Sequence, residues 1–328
     1  MIYTIAAVAA GFVIDLIIGD PHFIPHPVAL IGKLIEVLER LLRRLFPRGK
    51  AAEVIAGGLL WLVVTGVSFW LPFLILYLLG LLSPWAAFAV EAIMCWQILA
   101  VKSLRTESIK VYNALRDEDY FAARRALSMI VGRDTSSLDA EGMIRATVET
   151  VAENTNDGIV APLLFMAIGG APLGFLYKAI NTMDSMVGYI DPPYTYFGKI
   201  PARMDDIANL IPARLAALLM LLAGGIRGLR MGEGFRIFWR DRYNHKSPNS
   251  AMTESVCAGL LGVRLGGDAW YHGKLHKKKY IGDAKKTIRL SDIKRACSLS
   301  YTTAFLALIV FLGAALLCYF LIFAKAGT

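Results

Sequence analysis

The chain has 328 residues, of which 56% are hydrophobic and 19% are charged, and its mean hydropathy is +0.52. Soluble domains are typically about 45–50% apolar and about 25% charged, so the composition excludes an ordinary soluble domain and indicates an integral membrane protein. The net charge of +9 accompanies no recognisable nucleic-acid module, and the four cysteines form no Cys-x-x-Cys pair. We therefore expect no nucleic-acid partner, no zinc site and no disulfide framework.

Apolar run length predicts four firm membrane spans. Segment 2–19 has no basic n-region, which favours a retained helix over a cleaved signal. The long run that follows divides into spans at 54–81 and 84–101, and 302–324 forms the last span. Asp15 and Glu91 lie inside two of these spans. Because a carboxylate is costly in lipid, both are expected to face protein or a polar cavity.

Two surface features lie between the first two spans. Three prolines at 21–27 predict a stiff loop that presents Asp20, His22 and His26. These side chains form a weak metal-ligand pattern, and a rigid elbow with polar tips is the simpler interpretation. Segment 28–45 then predicts an amphipathic helix on the membrane surface or against a loop domain.

Two further apolar segments, 158–178 and 207–226, are interrupted by prolines, glycines or polar residues. Broken helices at membrane depth are tolerated where they line a protein-buried or water-filled cavity. These segments therefore either span or re-enter, and both options stay open. The predicted fold is an all-α polytopic membrane protein with helical cytoplasmic loops and possible re-entrant segments, forming one membrane-embedded domain over 1–328.

Basic residues predict which loops are cytoplasmic. Segment 227–300 contains 16 Lys/Arg and 6 Asp/Glu, and segment 33–50 contains 6 and 2. Such clusters beside apolar runs are typical of cytoplasmic loops and attract anionic lipids or substrates. Within the longer loop, Asn249-Ser250 predicts a helix cap before 251–261. The glycine-rich stretch 262–267 reads as a turn, with phosphate binding as the less favoured alternative.

The polar stretch 132–158 is the strongest functional signal. Asp139 is a plausible N-cap, and the pattern predicts a helix from there to 154. On that helix Arg145, Glu149, Glu153 and Asp157 recur every four residues and so share one face. Neighbouring carboxylates repel unless a cation or a ligand rich in donors lies among them. The alternative is a solvated helix face with an i,i+4 Arg–Glu pair.

A second polar cluster occupies 181–206. It brings Asn181, Asp184, Ser185, Arg203, Asp205 and Asp206. We predict that this cluster and 132–158 meet in one cavity open to the cytoplasm, since arginines of one set would relieve the repulsion of acids in the other. The opposing option is that 179–206 is an outside loop.

Six motifs in fixed order carry a family resemblance. They are Gly19-Asp20-Pro21-His22…Pro25-His26-Pro27, Gly132-Arg133-Asp134-Thr135, Val148-Glu149…Glu153-Asn154-Thr155…Asp157-Gly158, Asn181-Thr182-Met183-Asp184-Ser185, Ala202-Arg203…Asp205-Asp206…Asn209…Arg214 and Asn249-Ser250. Together they closely resemble the CobD/CbiB family, the adenosylcobinamide-phosphate synthases of cobalamin biosynthesis. The resemblance runs from about residue 11 to about residue 296.

The resemblance implies an ATP-dependent amide-forming ligase in the cell membrane, with its active site facing the cytoplasm. The family joins (R)-1-amino-2-propanol, or its O-phosphate, to the carboxylate of adenosylcobyric acid. Other membrane enzymes of the cobalamin pathway are possible partners, besides the bilayer itself. Activating a carboxylate as an acyl phosphate requires Mg²⁺, ATP and cations on the transferring phosphoryl group.

On this basis the chain offers three sets of site residues. The expected catalytic residues are Glu149, Glu153, Asp184 and His26. The expected substrate-binding residues are Asp20, Arg133, Asp134, Asn154, Asn181, Ser185, Arg203, Arg214 and Asn249. The expected metal ligands are Asp157, Asp205 and Asp206. Mg²⁺ usually takes only one or two protein carboxylates, so most of these acids must have other roles.

Three other functions fit parts of the pattern. Broken helices are typical of secondary transporters, but no two halves of the chain look alike. A lipid phosphotransferase would use paired aspartates with Mg²⁺, but Asp205 and Asp206 are adjacent rather than spaced along one helix face. A scaffold that holds corrinoid enzymes at the membrane is the third alternative.

Overall fold

The computed structural model describes residues 1–21, 26–47, 49–189, 191–271 and 273–326. In this part of the chain the fold is almost wholly helical, which confirms the all-α prediction. The helices are α1 (Ile2–Ile18), α2 (Pro27–Leu45), α3 (Lys50–Leu82), α4 (Pro84–Trp96), α5 (Val101–Arg116), α6 (Tyr120–Ser128), α7 (Ala140–Thr155), α8 (Ala161–Val187), α9 (Lys199–Ala208), α10 (Leu210–Ile226), α11 (Met231–Asp241), α12 (Ser250–Leu261) and α13 (Leu290–Ala326).

Some of the regular structure was not predicted. A π-helical turn, Asn156–Val160, follows α7. Four short strands, β1 (Leu265–Gly266), β2 (Ala269–Tyr271), β3 (Lys274–His276) and β4 (Tyr280–Ile281), form two antiparallel pairs. Leu265 pairs with Ile281 in one, and Trp270 pairs with Leu275 in the other. The basic loop thus contains local sheet as well as helix.

Among the described residues, four helices are long and apolar enough to cross a membrane, or five if one bent pair counts as a span. The four are Lys50–Leu82, Pro84–Arg116, Ala140–Val187 and Leu290–Ile322. They contain the predicted spans at 54–81 and 84–101 and most of the one at 302–324, which confirms a multi-pass membrane protein. The first predicted span corresponds to α1, which is apolar but has only 17 residues.

The two interrupted segments also have counterparts. Segment 158–178 falls within Ala140–Val187, and 207–226 falls within the bent pair formed by α9 and α10, which meet at 46°. Whether either one spans or re-enters stays a prediction.

The chain folds as two compact units. The first comprises Met1–Ala100, Ala161–Asn209 and Leu308–Thr328, and the second comprises Val101–Val160 and Leu210–Ala307. The expectation of one domain over 1–328 stays a prediction.

In the first unit, the two carboxylates within apolar helices face protein, as predicted. Asp15 of α1 is fully buried. Glu91 of α4 is also buried and accepts hydrogen bonds from the Ala171 amide and the Thr4 hydroxyl. The Ala171 amide is available because α8 breaks at Gly169 and Gly170. Gly170 has a φ of 65°, and a Cβ there would lie 2.2 Å from Glu91 Oε1, so only glycine fits this contact.

The amphipathic helix predicted at 28–45 is α2. His26 caps it, and Pro27 occupies the first helical position, where proline is favoured because no amide hydrogen bond is lost. Ile31 and Ile35 are buried, while Arg40 and Glu36 pair on the exposed face. The alternation of apolar and charged residues therefore predicted the helix.

The core of the second unit surrounds α12. Every residue from Ala251 to Leu261 is buried, and α12 packs against α7, α10 and α11. Asn249 is the N-cap residue, and Gly262 ends the helix in the left-handed conformation. The helix begins and ends where predicted, but the Asn249 side chain makes no capping hydrogen bond. A charged side chain is costly in a helix that is buried on all sides, and Glu254 is the one acidic residue within 251–261.

Candidate functional site

Glu149 on α7 is held through both of its carboxylate oxygens. The helix begins where predicted, because the Asp139 side chain accepts a hydrogen bond from the Gly142 amide at 2.7 Å. Glu149 Oε2 is ion-paired with Arg133, and Oε1 accepts a hydrogen bond from the Gly266 amide at 2.6 Å. The Glu149 side chain is 6% exposed. The carboxylate therefore joins α7 to the loop before it and to the glycine-rich turn.

The alternative for this helix face was a solvated surface with an i,i+4 Arg–Glu pair. Such a pair forms between Arg145 and Glu141, but Glu149 itself is buried. Glu149 turns inwards because Arg133 and the Gly266 amide provide charge and a donor in the protein interior. The Gly266 amide is accordingly occupied by a protein carboxylate.

Glu254 on α12 is a buried acid beside this helix. Burial raises the pKa of Glu254 well above its ordinary 4.5, and the negative charges of Glu153 and Glu149 raise it further. Lys278 and Arg133 act in the opposite direction. Because burial disfavours the charged form, Glu254 holds its proton more tightly than an ordinary glutamic acid does, next to Glu149 and Glu153.

His245 lies in the turn between α11 and α12. Its Nδ1 accepts a hydrogen bond from the Ser247 amide at 3.1 Å. Burial lowers the pKa of His245 below 6.5, although the charges of Glu153 and Glu149 oppose that shift. The imidazole is therefore neutral at pH 7. We call the set of Arg133, Glu149, Glu153, His245, Glu254 and Lys278 the mixed-charge cluster.

Several predicted substrate-binding residues hold the surroundings of this cluster together. Asp134 accepts a hydrogen bond from the Gly273 amide at 2.8 Å, and its own amide donates to the Trp270 carbonyl at 2.9 Å. These bonds join the loop before α7 to the β2–β3 pair. Arg214 donates to Asn249 Oδ1 at 3.0 Å, which joins α10 to the start of α12.

The end of α7 has a different geometry from the one predicted. Asn154 donates to the Thr150 carbonyl at 3.0 Å, a bond within its own helix. Asp157 lies in the π-helical turn and accepts a hydrogen bond from the Asn156 side chain at 2.7 Å. A spacing of four residues gives a common face only in an α-helix. The rule that joins Glu149 to Glu153 therefore does not extend to Asp157.

The first unit contains a polar group of another kind, which we call the amide cluster and define as Tyr177, Asn181, Asp205 and Asn209. Tyr177 donates to Asn209 Oδ1 at 2.9 Å, and Asn209 Nδ2 donates to Asp205 Oδ1 at 3.1 Å. Asn181 Nδ2 reaches the same oxygen at 3.5 Å. Neutral donors thus hold the Asp205 carboxylate.

Other predicted residues of the first unit surround the amide cluster or lie elsewhere. The charges of Asp184 and Asp206 act on Asp205. Ser185 donates to the Asn181 carbonyl at 2.9 Å, and Arg203 is exposed.

The loop at 21–27 is described only in part. His26 Nε2 lies 3.6 Å from Asp20 Oδ1, and His26 Nδ1 accepts from the Val28 amide at 3.3 Å. His22 lies outside the described residues. Across the described part of the chain, no three His, Cys, Asp or Glu side chains are placed to hold a metal ion together. The prediction that 132–158 and 181–206 share a cavity involves both units and stays a prediction.

Comparison with known proteins shows the family. The family model described as CobD/Cbib protein matches residues 8–300. The chain belongs to the CobD/CbiB family. It is 47% identical over 311 residues to the cobalamin biosynthesis protein CbiB of Salmonella typhi, covering 95% of this chain and 97% of the relative. It is 46% identical over 300 residues to the cobalamin biosynthesis protein CobD of Clostridium perfringens, covering 92% and 94%. No solved structure matches the chain.

Membership of the CobD/CbiB family does not favour the transporter or scaffold interpretations. The structure also shows residues of the mixed-charge cluster that the sequence analysis missed. Glu254 is the single charge within 251–261, and an isolated acid in an apolar segment signals a buried, functional or neutralised group. His245 and Lys278 lie in polar segments that gave no comparable signal.

Proposed function

We propose that this cobalamin biosynthesis protein forms an amide bond between the carboxylate of adenosylcobyric acid and (R)-1-amino-2-propanol or its O-phosphate, with ATP consumed. The observation that carries the proposal is the mixed-charge cluster, in which Glu254, a buried acid whose pKa is raised, lies beside Glu153. Pairs of acids whose surroundings separate their protonation states are typical of acid–base sites. The family's motif residues Arg133, Glu149 and Glu153 belong to the same cluster.

Each residue of the cluster has a separate role in this proposal. The amine must lose a proton as the carbon–nitrogen bond forms, and Glu153, a half-buried carboxylate, accepts it. In its protonated form, Glu254 donates a hydrogen bond that stabilises the charge developing beside Glu153. Arg133 and Lys278 bind anionic oxygens of the activated carboxyl group. Glu149 positions Arg133 and the Gly266 amide.

The reaction also requires two bound groups, Mg²⁺ and ATP. Mg²⁺ binds oxygen ligands and is commonly held by one or two carboxylates together with substrate phosphates. Glu149 does not fit, since both of its oxygens already accept hydrogen bonds or ion pairs. Glu153 acts as the proton acceptor and is not assigned to the metal. Asp157 in the second unit, or Asp205 and Asp206 in the first, remain the proposed ligands. When bound, ATP would supply the phosphoryl group that activates the corrinoid carboxylate, Mg²⁺ would neutralise its charge, and inorganic phosphate would leave as the amide bond forms.

The decisive experiment is direct product detection. Purified full-length protein in detergent receives ATP, Mg²⁺, adenosylcobyric acid and either aminopropanol or its phosphate, and the corrinoid product is identified by mass. We expect an adduct heavier than the corrinoid acid by the amine minus one water, and only with ATP present. The better of the two amines identifies the substrate. Absence of an adduct with both amines would overturn the proposal.

Substitution then tests the assignment of the site. Glu153→Gln removes the proton acceptor but keeps the shape of the side chain, so we expect product formation to fall by about a hundredfold or more. Glu118→Gln, at an exposed turn of the same unit, is the matched control and should leave turnover unchanged. Equal turnover in both variants would return Glu153 to a structural role while leaving the amide-forming activity intact.

We further propose that the protein lies in the cell membrane and that the mixed-charge cluster is on its cytoplasmic side. The charge of the basic loops supports this orientation. Lys277 and Arg40 are exposed positions in the two basic segments. In Lys277→Cys and Arg40→Cys variants, a membrane-impermeant maleimide should react in inside-out vesicles and not in intact cells. Reaction only in intact cells would reverse the orientation.

A further inference from the structure

A basic cavity of about 510 Å³ lies in the second unit and shares no residue with the mixed-charge cluster. Ten residues line it, and none of those ten is acidic. The five basic ones are Arg227, Arg230, Lys285, Lys286 and Arg295. Five cations around one cavity repel each other unless anions compensate them.

The backbone brings these cations together through a tight turn. α10 ends at Ile226, and the Leu229 amide then donates back to the Gly224 carbonyl at 2.8 Å. Gly228 supports this reversal with a φ of 67°, which glycine adopts without strain. Arg227 and Arg230 therefore lie on either side of the turn, and Arg230 is the N-cap residue of α11. On the opposite side, the Lys286 amide donates to the Gly262 carbonyl at 3.2 Å.

Protein carboxylates compensate only some of this charge. Lys285 lies 2.6 Å from Glu233 Oε1, and Lys286 lies 2.6 Å from Asp292 Oδ1. Arg295 shares that same Asp292 oxygen at 3.3 Å. Two carboxylates thus serve three cations, so this side of the cavity retains positive charge.

The two arginines at the turn retain theirs as well. Arg227 donates to the Ser298 carbonyl at 3.4 Å, which is a neutral acceptor. The Arg230 side chain makes no hydrogen bond or ion pair with any residue in the described ranges, and it is exposed. A guanidinium presents a planar set of donors that matches phosphate oxygens.

The position of the cavity along the chain indicates where its ligand lies. Arg227 follows directly after α10, the apolar half of the bent candidate span. Arg295 lies in the first turns of α13, where the candidate span Leu290–Ile322 begins. Cations at the ends of apolar helices lie at the depth of lipid headgroups, and basic pockets at that depth bind anionic headgroups.

We propose that this cavity binds a phosphate group at the membrane–water interface through Arg227 and Arg230, with Lys285, Lys286 and Arg295 completing the positive surroundings. The phosphate belongs either to an anionic phospholipid or to a soluble phosphate compound. Both sources present non-bridging phosphate oxygens to the arginines. They differ because only the phospholipid also carries acyl chains.

The test measures binding to purified full-length protein in detergent by native mass spectrometry. One arm uses mixed micelles containing phosphatidylglycerol, with phosphatidylcholine micelles as the zwitterionic comparison. The other arm uses sodium pyrophosphate. The test variant is Arg227→Gln with Arg230→Gln. The matched control is Arg116→Gln with Arg125→Gln, which removes two charges outside the cavity within the same unit.

We expect the wild-type protein and the control to retain a phosphate ligand that the test variant binds about tenfold or more weakly. Retention of phosphatidylglycerol over phosphatidylcholine identifies a lipid, whereas binding of pyrophosphate alone identifies a soluble ligand. Equal binding by the test and control variants, or no binding by the wild type in either arm, would overturn the proposal. Arg227→Lys with Arg230→Lys keeps the charge and should restore part of the binding if the double Gln variant is poorly folded.

Discussion

In the mixed-charge cluster a guanidinium and a backbone amide hold Glu149, whereas in the amide cluster the side-chain amides of Asn181 and Asn209 hold Asp205. Both carboxylates are buried and both are satisfied. The difference lies in the charge of the partner. If Glu149 loses its charge, the buried Arg133 guanidinium is left without a counter-charge. If Asp205 is replaced by asparagine, the side chain still has an oxygen that accepts the hydrogen bonds from Asn181 and Asn209.

This difference separates two uses of a buried acid. A cation-paired carboxylate fixes charge in place, which suits a site that must bind anionic oxygens and move protons. A carboxylate held by neutral donors fixes the packing of the helices that carry those donors. The two clusters should therefore respond differently to the same substitution, a carboxylate replaced by its amide.

The largest effect is expected for Glu149→Gln. Glutamine keeps an acceptor for the Gly266 amide but leaves Arg133 without its counter-charge, and the Arg133 side chain is only 16% exposed. Breaking a buried ion pair from one side costs about 3–5 kcal/mol. We expect a large fall in thermal stability in detergent together with loss of product.

The control for this substitution lies on the same helix. Glu141 pairs with Arg145 on the exposed face, and an exposed pair contributes less than about 1 kcal/mol. Glu141→Gln should leave both stability and turnover close to wild type. Similar melting shifts for the two variants would contradict the distinction between them.

A second large effect concerns the pH dependence of stability through Glu254. Its pKa in the folded state is raised above 4.5, so protonation stabilises the fold. That contribution is fully present below pH 4.5 and is lost as the pH rises through the raised value. Glu254→Gln mimics the neutral acid and does not titrate.

The measurement is a series of melting curves across this pH range. We expect wild-type stability to fall more steeply with rising pH than that of Glu254→Gln. Only the wild type must either hold a proton on Glu254 against the rising pH or bury the charge that its loss creates. Parallel curves for the two proteins would show that Glu254 is not protonated in the folded state. Asp268→Asn, at an exposed position, controls for the general effect of removing one acid.

The extent to which these features were predictable depends on how local each one is. Asp139 and the four-residue spacing predicted α7 and the common face of Glu149 and Glu153, because caps and helical faces depend on neighbouring residues. The partners of Glu149 are not local. Arg133 is 16 residues away and Gly266 is 117. Spacing alone favoured Arg145, which in the structure pairs with Glu141.

Two other elements show the same limit. The π-helical turn at Asn156–Val160 depends on the packing around it, including the buried hydrogen bond from Thr155 to Ser300 at 2.8 Å. The amide cluster depends on Tyr177 and Asn209, which are 32 residues apart. The motif residues Asn181 and Asp205 were identifiable from the sequence, but their mutual contact was not. Long-range pairing determines each of these features.

Asp205 provides the contrasting, smaller effect. Asp205→Asn keeps Oδ1 as an acceptor for Asn209 and Asn181, so we expect a change in the free energy of unfolding within about 1 kcal/mol. Asp205→Ala removes the acceptor from two amide groups and should cost about 1–3 kcal/mol. Chemical denaturation of both variants tests this order. A rise in the Mg²⁺ concentration required for activity in Asp205→Asn would in addition support Asp205 as a metal ligand.

The smallest effect is expected at the contact between Arg214 and Asn249, where a charged side chain is held by neutral partners. Arg214 donates to Asn249 Oδ1 at 3.0 Å and to the Leu210 carbonyl at 2.7 Å, so a cation is held here by neutral oxygens. Asn249 is 5% exposed, and its side chain serves Arg214 rather than capping α12. A double-mutant cycle of Arg214→Lys and Asn249→Ala should give a coupling of about 1 kcal/mol. If the charge of the partner determines the cost, this coupling must be smaller than that of Arg133 with Glu149 measured in the same way. A coupling of equal size would show that the free energy lost on breaking a contact depends on its geometry rather than on the charge of the partner. The two clusters would then differ only in how well each carboxylate is aligned with its donors.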